Sequence, residues 1–417
     1  MQIDTVIIGL TGSFGSGCST LRKVLEKNYG FKGFKLSEEV RLEANSKGIK
    51  DPKRDHLQTI ANELRRDKGN SYLARKAIEK IEKSEGSRYV IHGFRHSAEV
   101  QEFRRYPNFF LVAVDASKDI RWERLKEFYK GNQADFEKDD KRDKDEGLSY
   151  GQQVLRCVEQ ADIIFLNENQ YPTSLSVEDK IRDRFDEYLG LVTGEKIRQP
   201  TLEETMMTLA SSLALQSSCI KRRVGAVLCN KRGFIVSAAY NEIPNKEGSC
   251  IDVYSMCYRD FFRDNFKRET LKNFQRCPLC GKTIVITDSL KSNNTVCSSC
   301  KGELFSLFPT NFKALDKCRA LHAEETVLLQ TPGSESEGAI LYTTTFPCMQ
   351  CAKRIVHAKI KAVNYIDPYP EPEAVEIIRK GDVIPDKFEG VKAQVFYRLY
   401  HRRRELTERE VEKRRKV

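Results

Sequence analysis

The chain has no run of eighteen apolar residues, no internal repeat and no low-complexity segment. The first absence excludes a membrane-spanning helix, and the other two exclude a solenoid array or a linker-like chain. Histidine is scarce, with six in 417 residues, so a histidine-built metal centre must draw on very few positions. Acid is short relative to base: 60 Asp and Glu stand against 71 Lys and Arg, a net charge of +11 at pH 7. That excess suits a protein that handles phosphates or nucleic acid, and equally a solvated basic surface. The N-terminus enters a strand pattern, "DTVII", rather than a charged and then apolar leader. The expectation is therefore a cytoplasmic protein with no membrane partner.

Cysteine, by contrast, is plentiful, with 13 in the chain. Six of them form the close pairs Cys277-x-x-Cys280, Cys297-x-x-Cys300 and Cys348-x-x-Cys351. In an intracellular chain such spacing points to metal rather than to disulfides. Cys157, Cys219, Cys229, Cys250, Cys257 and Cys318 are left over and read by default as buried thiols, with a further metal site at Cys250 and Cys257 the livelier alternative.

A length of 417 residues predicts two domains. The first half alternates strands ("DTVIIGL", "RYVIHGF", "NFFLVAVD", "ADIIFLN") with helical patterns, which predicts a parallel sheet covered on both faces. Gly, Thr and Pro break the pattern in "LVTGEKIRQP", so the boundary is set at 195/196. The second half opens with a helix, "LEETMMTLASSLALQSS", and a hairpin, "VGAVLCNKRGFIVSAAYN". Regularity fails over about 246–311 and returns with the helical "CRALHAEETVLLQ", the strand "AILYTTTF" and the helix "CMQCAKRIVHAKI". The tail "HRRRELTEREVEKRRKV" reads as a charged terminal helix of the second domain.

The strongest chemical signal is His322-Ala323-Glu324 followed by Pro347-Cys348-x-x-Cys351, the H-x-E…P-C-x-x-C signature of zinc deaminases. One imidazole (His322) and two thiolates (Cys348, Cys351) supply three ligands to a tetrahedral zinc and leave the fourth position for water, whose pKa the metal brings toward roughly 7. Glu324 is then the general acid and base. His56, His92, His96, His357 and His401 have no comparable setting. The other two pairs, Cys277, Cys280, Cys297 and Cys300, have the spacing of a closed four-thiolate zinc ribbon. Its role is structural, or alternatively nucleic-acid binding.

"GLTGSFGSGCST" follows the first strand and has P-loop spacing, with Cys18 where the lysine belongs. Gly12, Ser13, Gly15, Ser16, Gly17, Cys18, Ser19 and Thr20 form the candidate cradle, in which backbone N–H groups and a helix N-terminus receive phosphates. Arg121 and Arg124, on a lid-like helix, are candidate helpers.

This first half resembles P-loop nucleotide kinases of the dephospho-coenzyme A and deoxynucleoside monophosphate kinase type, over "TGSFGSGCST", "LQTIANELRRDKGN", "YVIHGFR" and "RWERL". In those kinases an acid stands at the position of His92. With Cys18 and His92 in place, phosphoryl transfer should fall by orders of magnitude while phosphate binding persists. "SSCIKRRVGAVLCNKRGFIVSAAYNEIP" is similar to the strand–turn–strand of deoxycytidylate deaminases. The resemblance implies that Asn241 holds the sugar hydroxyl, and that the backbone around Ala323 and the "TFPC" turn touch the base. Arg222 and Arg223 either reach the nucleotide phosphates or are exposed hairpin charges.

Together the two halves and the insertion resemble the bacterial anti-phage dCTP deaminases. That resemblance implies an α/β architecture with an N-terminal kinase-like parallel sheet and a C-terminal cytidine deaminase-like α/β/α sandwich. It implies deamination of dCTP or dCMP to deplete deoxycytidine nucleotides in phage defence. It also implies control by regulatory deoxynucleotides, a hexamer, and in some members an inhibitory small RNA. Two other functions stay open at this point: a bifunctional salvage kinase and deaminase, and an RNA-binding or RNA-editing deaminase.

Overall fold

Residues 5–144, 146–168, 177–196, 198–244, 248–265, 318–368, 371–392 and 395–400 are described by a computed structural model, with short pieces at 274–276, 280, 283–285, 299–300 and 305–306. The chain divides into two compact units. The first runs to Thr208 and takes in the described residues from Lys387 onward; the second is Leu209–Asp386.

In the first unit, strand β1 (Val6–Thr11) is buried at every position, as the middle of a parallel sheet covered on both faces must be. It pairs in parallel with β3 (Arg88–Phe94) and β4 (Phe109–Asp115). β2 (Lys32–Lys35) extends the sheet beside β3, and β5 (Ile163–Leu166) extends it beside β4. Helix Cys18–Tyr29 buries Leu21, Val24 and Leu25 against Ile8 and Leu10. The two helices expected around Gly69 are Arg54–Lys68 and Tyr72–Glu82, and Gly69 ends the first with φ 95°.

A sixth strand, β14 (Gly390–Val391), closes the sheet by pairing antiparallel with β5. Val391, Val395, Phe396 and Leu399 all lie in the same core as β1. The division expected at 195/196 kept everything after 196 in one domain; the described residues from Lys387 instead pack with the first half. The physical reason is a row of apolar side chains at the end of the chain that completes a sheet edge more than 200 residues away in sequence. Residues 401–417, read as a charged helix, lie outside the described residues.

The second unit is built on β6 (Gly225–Cys229), β7 (Ile235–Tyr240), β11 (Ile340–Thr345), β12 (Ala362–Asp367) and β13 (Ile384–Lys387), in the order β13-β12-β11-β6-β7. β6 and β7 form the expected hairpin, and β11 runs antiparallel to β6 but parallel to β12. Helices Ala323–Leu329 and Met349–His357 pack Val327 and Ile355 into the sheet's core. The first of these starts later than the sequence pattern suggests. Leu321 pairs with Glu242 in an antiparallel bridge, so the helix begins only after His322.

In the cysteine-rich segment three short strands, β8 (Phe274–Arg276), β9 (Thr283–Val285) and β10 (Phe305–Ser306), form an antiparallel sheet in the order β10-β8-β9. Cys280 and Cys300 are exposed, while Cys277 and Cys297 lie outside the described residues.

Candidate active site

Two helix starts bring the predicted ligands together. His322 is the N-cap of helix Ala323–Leu329, with extended backbone at φ −77° and ψ 150°. Cys348 is the N-cap of helix Met349–His357, and Cys351 lies in its first turn. Each sulfur stands 3.4 Å from His322 Nδ1. The ligand atoms of His322, Cys348 and Cys351 all lie within 4.8 Å of one another. One imidazole nitrogen and two sulfurs, gathered on a mostly buried wall, are a donor set that fits zinc. Among the described residues it is the only such group of three.

The two thiols share a proton. Hydrogen bonds from the Cys351 thiol and from His322 pull Cys348 down to about 4, while the same Cys348 partner and burial push Cys351 up. A thiolate is therefore favoured on Cys348, as metal ligation requires. Glu324, at 3 % exposure, begins the next helix. Burial pushes its carboxyl up to about 7, against the pull of His322. A carboxyl poised near neutrality can both take and return a proton.

The glycine loop of the first unit is also formed. Gly12 (φ 148°) and Gly17 (φ 109°) adopt backbone that only glycine holds easily, and a Cβ on Gly12 would lie 2.1 Å from the Val114 carbonyl. The loop lines a cavity of about 530 Å³ together with Arg54, His92, Arg95, Arg124 and Asn167. Cys18 does not imitate the missing lysine. Its Sγ donates to the Thr11 carbonyl at 3.3 Å, and burial pushes the thiol up to about 11, so it stays neutral. His92 is neutral too, driven down to about 3 by burial and then by Arg95.

Of the two helper arginines, only Arg124 lines the cavity. Its guanidinium donates to the carbonyls of Gly15, Ser16 and Asn167 at 2.9, 3.2 and 2.7 Å. Arg121 is buried against Asp140 at 2.6 Å, which spends its charge on the fold. The cations missed by the sequence reading are Arg54 and Arg95, both paired with the buried Asp143.

Residues 200–367 match the cytidine and deoxycytidylate deaminase zinc-binding region, and residues 8–145 match an AAA domain. The chain is 26 % identical over 365 residues to a deoxycytidylate deaminase of Schizosaccharomyces pombe, covering 87 % of this chain and 90 % of that protein. It is 30 % identical over 187 residues to a UPF0200 protein of Saccharolobus islandicus, covering 44 % of this chain and 96 % of that one. The front part of the chain belongs to the UPF0200 family, and the part behind it carries the matched deaminase zinc-binding region. Among solved structures it is similar to the dCMP deaminase of cyanophage S-TIM5, at 18 % identity and a TM-score of 0.26, covering 46 % of this chain and all of that one.

The deaminase domain opens beside His322, Glu324 and Cys348 into a cavity of about 290 Å³. Asn241, Thr345 and Phe346 line it, as the family resemblance implies; Ala323 is fully buried as the first residue of its helix and does not. The Asn241 amide is oriented by the loop it faces: Oδ1 accepts from Val224 N–H at 2.7 Å and Nδ2 donates to the Arg222 carbonyl at 3.1 Å. One N–H and one lone pair of that amide are left for a ligand.

Arg222 lines the cavity, but its guanidinium pairs with Asp367 at 3.2 Å; Arg223 does not line it. Two arginines that the sequence reading assigned no role, Arg259 and Arg319, do. Cys219, Cys250, Cys257 and Cys318 line it as well, and Cys250 and Cys257 belong to no cluster of three donors among the described residues. Cys318 is close enough to the His322 imidazole to favour its protonated form without joining the three mutually close donors. Its position four residues before His322 was the only sequence signal for that contact.

Proposed function

We propose that the chain is a zinc-dependent hydrolase that deaminates deoxycytidine nucleotides, dCTP or dCMP, to the deoxyuridine nucleotide and ammonia. The observation that carries this reading is the convergence of His322, Cys348 and Cys351 beside a buried Glu324. His322, Cys348 and Cys351 would hold the zinc, which supplies Lewis acidity that makes water nucleophilic near pH 7.

Glu324 accepts a proton from the attacking water and passes it to N3 of the cytosine. It then protonates the departing amino group, so that the C4–N bond breaks as the C4 carbonyl forms. Asn241 meets the sugar hydroxyl with its remaining N–H and lone pair. Phe346, packed edge-on against Tyr365 with centroids 4.8 Å apart, supplies an apolar wall for the base.

The front domain acts as a nucleotide sensor. Its glycine loop offers backbone N–H groups to phosphates, while the neutral Cys18 and His92 leave phosphoryl transfer without its usual cation and acid. Depletion of deoxycytidine nucleotides during phage infection is the physiological role we assign. Glu324→Gln tests the mechanism. Zinc content should match the parent and ammonia release should fall by at least about a hundredfold; a variant of full activity refutes it.

A further inference from the structure

The helix that carries the two cysteine ligands begins at one of them, and that leaves its first turn short of acceptors. The leading N–H groups of a helix have no partner within it, and the side chain of the N-cap residue ordinarily accepts from one of them. Here the N-cap is Cys348, whose sulfur stands 3.4 Å from His322 Nδ1 and makes no capping hydrogen bond. The first turn of Met349–His357 carries no acid either. Helix ends fray unless something holds them, and fraying here would displace Cys348 and Cys351 together.

An acceptor arrives from further along the chain. Glu371 Oε2 accepts from the Met349 N–H at 2.7 Å, across a separation of 22 residues. Glu371 is itself the N-cap of the next helix, Pro372–Lys380, yet its side chain caps nothing there. The two helices lie against each other and bury Ala352, Ile355, Ala374 and Ile378 in one core, so the root of Glu371 is fixed. A carboxylate at a helix N-terminus is favourable twice, as a charged acceptor and as a negative charge at the positive end of the dipole.

We infer that Glu371 is a positioning residue of the metal site: it pins the start of the cysteine helix, so that the Cys348 sulfur is left for the metal. Glu371 does not line the cavity and acts on the site through the Met349 backbone. Partners of this outer kind are worth about ten- to a hundredfold in metal affinity. The role rests on the zinc reading of His322, Cys348 and Cys351 given above.

The test measures zinc affinity of the full chain by competition with a chelating dye, in the parent, Glu371→Ala, Glu371→Asp, Glu371→Gln and Glu373→Ala. Glu373 is an exposed acid in the first turn of Pro372–Lys380 and serves as the charge control. His322→Ala identifies which bound zinc belongs to this site. For that zinc, affinity should fall about ten- to a hundredfold in Glu371→Ala and in Glu371→Asp, whose carboxylate falls short of Met349. Glu371→Gln keeps an oxygen acceptor of full reach and should recover most of the loss. Glu373→Ala should match the parent. Cobalt(II) loaded in place of zinc reads the geometry: its tetrahedral thiolate bands should weaken in Glu371→Ala and return in Glu371→Gln. Parental affinity in both Glu371→Ala and Glu371→Asp overturns the positioning role. So does a melting temperature that falls equally with and without zinc while affinity stays put. Where Glu371→Ala does not fold, Glu371→Asp against Glu371→Gln decides, and equal affinity in those two refutes the role. Equal zinc in the parent and His322→Ala removes the ligand reading itself, and the positioning role falls with it.

Discussion

Phe396 offers the sharpest test of where the chain's end belongs. It is 4 % exposed, sits in the core of the first unit with Val391, Val395 and Leu399, and lies under the Arg198 guanidinium at 5.6 Å. Phe396→Ala removes a ring from a packed core and leaves a cavity, which costs about 3–5 kcal/mol. The stacked arginine adds roughly 0.5–1 kcal/mol. Set against a domain stability of about 5–15 kcal/mol, the loss is large, and for a unit of this size it lowers the melting temperature by roughly 7–24 °C. The assay is calorimetry on the full chain. Chelator identifies the transition of the zinc-holding unit, because metal binding to the native state stabilises it. Phe396→Ala should lower the other transition and leave the chelator-sensitive one in place. A shift of the chelator-sensitive transition alone, or no shift at all, refutes the assignment of this segment to the front domain.

Two further predictions concern the front domain. Burial works to raise the Glu204 carboxyl, but Arg198 and the backbone N–H groups of Thr201 and Val391 outweigh it and hold it below the usual range. The native state therefore binds this proton less well than the unfolded chain. The resulting stability is fully present above the ordinary glutamate pKa and is lost as pH falls through the lowered native value. Urea midpoints measured between pH 7 and about pH 4 should drop less steeply in Glu204→Gln than in the parent, from a lower starting value; parallel curves would contradict this. Gly12→Ala should abolish nucleoside triphosphate binding by the glycine loop, because the new methyl would strike the Val114 carbonyl. Titration calorimetry in the Glu324→Gln background reads this, and undiminished binding outside the catalytic cavity would count against the cradle.

Much of the candidate site is legible in the sequence because its parts are local. A metal ligand at a helix N-cap needs only a short run of sequence, so His322-x-Glu324 and Cys348-x-x-Cys351 mark their own helix starts. The glycine loop is legible for the same reason, since Gly12 and Gly17 stand where backbone sterics exclude a side chain. Partnership across the chain was not legible. Nothing near Arg121 says that Asp140 will neutralise it, and nothing near Arg222 names Asp367. Both arginines looked available until folding spent their charge.

By itself the sequence determined the alternating sheet of the front half, the hairpin of the back half and the three donors gathered at His322, Cys348 and Cys351. Each is encoded by periodicity or spacing within a few turns of chain. Only the tertiary structure decided that Val391, Val395, Phe396 and Leu399 complete the front domain, and that Arg259 and Arg319 line the same cavity as His322 and Cys348. Pairing between distant segments depends on which buried surfaces and charges remain unmatched once the local elements have formed, and no local pattern records that remainder.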